Sequence, residues 1–357
     1  MKKCHVVYLV CTAAMIGTGI GAAPASAGHT THVVHPGESI QKAVDAARSG
    51  DTVLLTPGTY HESVKVSTPG LTLRGMGRDT VIKPSTEKAA EENTCAEDGN
   101  GICVVGTKDE NVKGVTVANL TVTGFKRTGV FSMATDGLTV RNVTAMKNGV
   151  WGIAQEQSIH GIFRGNTARD NGDAGIFIAN TITAEAGAAD SQGTEVAHNR
   201  LEGNRIGVTV RRLRNLAVAD NHITGNCAGV FVVGDENKPK AGDLVVRDNY
   251  VVRNNKSCPK TDRLEALQGS GIVLTGVEKV LVADNTVEGN SGKSSMSGGI
   301  VLAKSMVGAG NSKNEVNGNR LRENSPADLV NAETADTAAS NTFTGNTCGA
   351  SKPAGLC

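Results

Sequence analysis

Nine asparagines, Asn119, Asn142, Asn166, Asn199, Asn221, Asn249, Asn285, Asn319 and Asn341, sit at the same point of a short recurring phrase, and the closest successive ones are 22 to 24 residues apart. A repeat of that length cannot bury its apolar face alone, so the repeats must stack as the coils of a solenoid. The phrase is clearest in Leu216-Ala-Val-Ala-Asp-Asn-His-Ile-Thr-Gly-Asn226 and Leu281-Val-Ala-Asp-Asn-Thr-Val-Glu-Gly-Asn290. After a variable gap comes Gly-aliphatic-x-aliphatic, as in Gly175-Ile-Phe-Ile178, Gly207-Val-Thr-Val210, Gly229-Val-Phe-Val232, Gly271-Ile-Val-Leu274 and Gly299-Ile-Val-Leu302. Aliphatics alternate with other residues over a few positions, which is strand rather than helix periodicity. Each coil reads as three strands: the Gly-led run, one before the Asn and one after it.

The repeated Asn marks a sharp bend, because Asn tolerates left-handed backbone angles and its amide can bond the backbone or the same Asn one coil away. A second series, Asn148, Asn171, Asn204, Asn226, Asn254, Asn290, Asn324 and Asn346, follows five or six residues later and marks the next corner. Both series read as structural ladders, not as an active site.

Residues 1–27 have the form of a signal peptide: Lys2 and Lys3, an apolar stretch from Val6, then Ala25-Ser26-Ala27. A secreted, extracellular domain is expected from 28 to 357, with no membrane span after the leader. Without Lys2 and Lys3 the 36 basic residues fall to 34 against 35 acidic ones, so no basic face is available for nucleic acid. Six cysteines remain: Cys95, Cys103, Cys227, Cys258, Cys348 and Cys357. An exported chain with an even count points to disulfides, and proximity favours Cys95 with Cys103, Cys227 with Cys258 and Cys348 with Cys357, although fifteen pairings are open. Zinc is the competing reading, but no Cys-x-x-Cys or clustered His supports it.

Pro36-Gly-Glu-Ser-Ile-Gln-Lys-Ala-Val-Asp-Ala-Ala47 places Ile40, Ala43, Val44 and Ala47 on one helical face, so residues 39–48 are expected to form a helix that plugs the bottom of the stack. Gly50-Asp-Thr-Val-Leu-Leu55, Pro57-Gly-Thr-Tyr60 with Glu62, and Leu71-Thr-Leu-Arg-Gly75 follow. This motif, with the Asn-punctuated coils after it, resembles the pectate-lyase-like right-handed parallel β-helix superfamily, and more narrowly the secreted β-helix repeat proteins of actinobacteria, which end like Asn346-Thr-Cys-Gly-Ala-Ser-Lys-Pro-Ala-Gly-Leu-Cys357. The resemblance implies an all-β fold: a single-stranded right-handed parallel β-helix of three-strand coils, about ten rungs, with a short N-terminal capping helix. Residues 341–357 would close the top through a disulfide, and the protein is expected to be a monomer.

The resemblance also implies that ligand lies along the Gly-led strand. With the aliphatics after Gly pointing inward, the outward ladder is Phe131, Ala154, Phe177, Thr209, Phe231, Val273 and Val301. Three of the six phenylalanines fall on it, so either a ligand or a covering loop or partner is expected there. Insertions at 181–193, 235–243 and 304–314 follow the strand and those at 255–269 and 291–298 precede it, which reads as two walls of a cleft.

Glu156 and Arg211 occupy equivalent places in their coils and would lie roughly 10 Å apart, with Arg212, Asp235 and Lys304 close by in register. Elimination on a uronic acid would use Arg211 with Lys304, whereas hydrolysis would need the carboxylates of Glu156 and Asp235. Solvated edge residues are the plainer reading of each charge. Trp151 at the cleft edge would stack on a sugar ring or fill a corner. Asp220, Asp248 and Asp284 stack beside the Asn ladder above His198, where a weak calcium stripe competes with simple turn capping. The Asp-Pro-His-Asp motif of mannuronan epimerases and the Gly-Asp-Gly of polygalacturonases are absent. The expected function is an enzyme or binding protein for an extracellular polysaccharide, a lyase or hydrolase if catalytic. The alternatives are an enzyme that holds an apolar small molecule for cyclisation or isomerisation on Phe131, Phe177 and Phe231, and a scaffold without catalysis.

Overall fold

The computed structural model describes residues 28–85, 94–107, 109–262, 264–305, 307–333 and 340–357; the leader-like segment 1–27 lies outside them. Three long parallel sheets run the length of the molecule. The Gly-led strands, from Val64–Val66 to Ser351–Lys352, form a first sheet of 11 strands. The strands before the Asn bend, Thr31–Val34 to Thr342–Thr344, form a second of 12, and those after it, Gly58–His61 to Arg320–Arg322, a third of 10. Every strand pairs with its equivalent one coil away, as Val208 does with Val230 and Ile223 with Val251. The inward aliphatics Ile153, Ile176, Val208, Val230, Ile272 and Ile300 are fully buried and belong to one core that runs from Val34 to Leu329. The fold is thus a single-stranded parallel β-helix of three-strand coils.

The motif around Asp51, Tyr60 and Glu62 fastens the bottom cap. The helix Ile40–Ala46 buries Ile40 and Val44 on the first coil, and Ser39 caps its N-terminus. Glu62 reaches the same end: its carboxylate accepts the N–H groups of Ile40 at 2.7 Å and Gln41 at 3.1 Å and the Ser39 hydroxyl at 2.8 Å. Free helix donors that a buried end cannot show to water are satisfied in this way. Asp51 accepts from the N–H groups of Arg48 and Thr30 and bonds His32, which together hold its carboxyl at about 2. The Tyr60 hydroxyl donates to the Val34 carbonyl at 2.8 Å.

Two interior amide ladders clamp the corners, in a frame slightly different from the sequence reading. The first runs Asn166, Asn199, Asn221, Asn249, Asn285, Asn319 and Asn346. Asn221 is typical: its N–H and Nδ2 both donate to Asn249 Oδ1 at 3.0 Å, and Nδ2 also donates to the Val196 carbonyl at 2.9 Å. The second runs from Asn148 to Asn324 and ends on Asp328. Asn119 and Asn142 stand one position earlier than the first ladder, on the outer corner at φ 55° and 53°, with Leu120 and Val143 filling the interior place. Asn341 belongs to a third, short ladder with Asn314, so Asn346 takes the place in the first ladder that the sequence spacing gave to Asn341. The same outer corner carries His198, Asp220, Asp248 and Asp284 at positive φ. Among the described residues no three His, Cys, Asp or Glu side chains converge to hold a metal ion.

Disulfides join Cys95 to Cys103, Cys227 to Cys258 and Cys348 to Cys357. At the top, Ser351–Lys352 pairs with Leu329–Asn331, while Cys348 and Leu356 pack on the main core.

Candidate functional site

The outward row of the first sheet is a continuous ladder. Cys103, Phe131, Ala154, Phe177, Thr209, Phe231, Val273 and Val301 are partners on successive coils. These side chains point away from the coil interior, yet most are buried. Phe177 is 6 % exposed, Phe231 3 % and Val273 fully covered. Ala154, Phe177, Phe231, Val273 and Val301 form a second apolar core, outside the coil, with Cys258, Leu267 and Met296, and with Phe131, Leu264 and Ile182 packed against it. The insertions expected to flank a cleft therefore fold across its upper part.

Polar clasps hold this cover down. Arg205 donates to the carbonyls of Pro259 at 2.7 Å and Glu265 at 3.0 Å, and the Cys227–Cys258 bridge anchors the same segment. On the other side Arg212, 4 % exposed, donates to Asp235, Glu185, Thr181 Oγ1 and the Ala184 carbonyl. Asp235 is further occupied by the N–H and side-chain amide of Asn237 at 3.0 and 3.1 Å. Arg212 and Asp235 thus serve as struts between the 181–188 and 235–240 loops. Trp151 is 4 % exposed, stacks on Phe177 with ring centroids 4.5 Å apart, and donates to Asp173 at 3.0 Å. The Thr209 hydroxyl is buried with no hydrogen-bond partner. Lys304 is exposed and follows Ala303, the position three coils above Arg211, so the structure does not bring these two together.

On the lower coils the face is partly open at one coil, between the buried Cys103 and Ala154. Phe131 and Met133 are half-buried there, and Met133 pairs in register with Glu156. The Glu156 carboxylate accepts the Ile182 N–H at 2.9 Å, while Arg211, two coils above it, donates to the Ile182 carbonyl at 2.9 Å. The backbone of one residue, Ile182, thus bridges the two charges. Burial pushes the Glu156 carboxyl above its ordinary range, against the pull of the Ile182 N–H and of the Arg211 and Arg127 guanidiniums. A cavity of 300 Å³, lined by Met133, Ala134, Gln157, Gly106, Thr107 and Asn111, adjoins this point. Arg127, Asn111 and Gln157 were not among the residues expected from sequence, because they lie in turns outside the repeating phrase.

A family model described as the right handed beta helix region matches residues 61–186 and 180–307, more than half of the sequence. The chain belongs to the right-handed β-helix family. Among solved structures, this β-helix is similar to the A-module of mannuronan C-5 epimerase AlgE4 from Azotobacter vinelandii, with TM-score 0.57 and 17 % identity over 89 % of this chain and 94 % of that one. It is similar also to an alginate lyase from Paenibacillus sp., with TM-score 0.54 and 15 % identity over 81 % and 94 % of the two chains. The Dettilon tailspike protein gives TM-score 0.54 at 13 % identity, over 89 % of this chain and 68 % of that one. At these identities the likeness is one of fold. No curated relative matches the sequence.

Proposed function

We propose that this β-helix acts on or binds an extracellular polysaccharide laid across the lower coils of the first sheet, with Glu156 as the proton-transferring group. The observation that carries the reading is the Glu156 carboxyl. It is half-buried one coil above the half-buried Phe131 and Met133, beside a cavity, and its pKa is raised. A carboxyl raised in this way donates or accepts a proton more readily near neutrality. Phe131 offers an apolar platform for a sugar ring, and Arg127 and Arg211 supply positive charge. The fold neighbours named as a mannuronan epimerase and an alginate lyase support the polysaccharide class, and three disulfides support an oxidising, extracellular setting. Hydrolysis through Glu156 and Asp235 gains no support, because Asp235 is taken up by Arg212 and Asn237.

A thermal-shift screen of acidic and neutral oligosaccharides tests this. At least one glycan should raise the melting temperature. Glu156→Gln should abolish any turnover of that glycan while retaining most of the shift. A screen without hits, or a Glu156→Gln protein with unchanged turnover, overturns the reading.

A further inference from the structure

The Asn119 and Asn142 corner, between the second and third sheets, is remote from the face carrying Glu156. On this corner's edge the position that ends each second-sheet strand runs Arg74, Ala118, Arg141, Arg164, Ala197, Ala219 and Arg247 on successive coils. On an upper coil Arg247 is paired, because the corner residue beside it is Asp248, 2.6 Å away. On the lower coils the corner residues are Asn119, Asn142 and Gly165, which carry no charge. Arg74, Arg141 and Arg164, together with Arg78 from the adjoining turn, accordingly form no ion pair among the described residues. Asp79, next to Arg78, is exposed and pairs with none of them.

A cavity of 560 Å³ opens at this place, lined by Arg74, Arg78, Asn119, Asn142, Thr144 and Thr167 among others. Gly165 helps to keep it open, since a Cβ there would come within 2.7 Å of Asn142 Oδ1. Asn142 Nδ2 donates to Asn119 Oδ1 at 3.2 Å and fixes both amides at the rim. At about 4.8 Å per coil the arginine row from Arg74 to Arg164 spans about 14 Å.

We propose that this corner is a second glycan site, specific for acidic polysaccharide, that anchors the polymer away from the Glu156 face. Guanidiniums recognise carboxylate or sulfate groups in bidentate fashion, and the amides and hydroxyls between them match a ligand whose acid groups alternate with hydroxyls. A single-stranded nucleic acid is disfavoured because no aromatic side chain lines the cavity to stack a base, and a duplex, which needs only phosphate contacts, is decided by the test.

The test measures binding of polygalacturonate oligomers, dextran sulfate, neutral dextran and a DNA duplex to the full-length protein by calorimetry, with hydrogen exchange reporting where each binds. The expected result is salt-sensitive binding of one or both acidic glycans, with protection at 74–78, 142–144 and 165–167, and no binding of neutral dextran. Uronate and sulfate arms separate the two acidic chemistries. The Arg74→Gln/Arg141→Gln/Arg164→Gln protein, altered only at partly or fully exposed positions, should keep its melting temperature and lose about tenfold or more in affinity at the corner. Binding unchanged in that protein, equal binding of neutral dextran or DNA, no binding at low salt, or protection elsewhere only, overturns the proposal. Failure of the Glu156 reading is scored separately, as absent protection at 130–134 and 153–157.

Discussion

Phe131 and Phe231 stand on the same row of the same sheet, four coils apart, with side chains aimed the same way, yet the first is half-buried and the second is 3 % exposed. The strand pattern decides which way a residue points; the loops decide whether water reaches it. Above Phe231 the 255–269 segment is clasped by Arg205 and a disulfide, and its Leu264 and Leu267 complete a second core. The face is therefore an interior from Ala154 to Val301, and Phe131 stands half-buried at its lower margin.

The largest effect that separates the interior from its margin is a truncation. Phe231→Ala should cost about 3–5 kcal/mol in denaturant unfolding, as for a packed aromatic, and Phe131→Ala about 1 kcal/mol or less. Equal costs would erase the distinction. Next in size, Cys227→Ser with Cys258→Ser should cost about 2–4 kcal/mol and open the cover, read as earlier proteolysis within 259–267. Thr209→Val should then stabilise by about 1 kcal/mol, because it removes a buried hydroxyl without a partner. A loss of stability instead would show that the hydroxyl is bonded in solution.

The smallest effect concerns Glu156. Its folded pKa lies above the ordinary 4.5, so the ionised group opposes folding. The favourable contribution of the protonated form is present below 4.5 and is lost as pH rises through the folded value. Glu156→Gln should leave stability nearly unchanged in acid and raise it slightly at neutral pH, a small gain because the half-exposed group is screened by water. A variant less stable at neutral pH than in acid, relative to the parent, contradicts the assignment.

Much of this was legible in the sequence. The Gly-led phrase placed the outward row residue for residue, since alternation along a strand leaves one choice of inward face, and cysteine proximity matched the three bridges. The amide ladder was legible from Asn166 to Asn319, but it missed by one position at Asn119 and Asn142 and by five at its upper end, where Asn346 and not Asn341 continues it. Asn suits both the exposed left-handed corner and the buried ladder, and Asn119 and Asn142 occupy the former. The distinguishing signal was present: ladder members follow the corner residue, as in Gly165-Asn166, His198-Asn199, Asp220-Asn221 and Gly345-Asn346, whereas Asn119 and Asn142 precede Leu120 and Val143. Insertion lengths showed where loops leave the coil but not that they fold back over it. That depends on Arg205 meeting carbonyls more than fifty residues away and on Arg212 meeting two separate loops, pairings with no local signature.

The most direct test of the divided face is a solved structure of the Glu156→Gln protein with the longest oligosaccharide that the screen retains. The account predicts sugar density crossing Phe131 and Met133, beside residue 156, with the 259–267 segment still closed over Phe231. Density lying beneath a displaced 259–267 segment, with none over the lower coils, would contradict it.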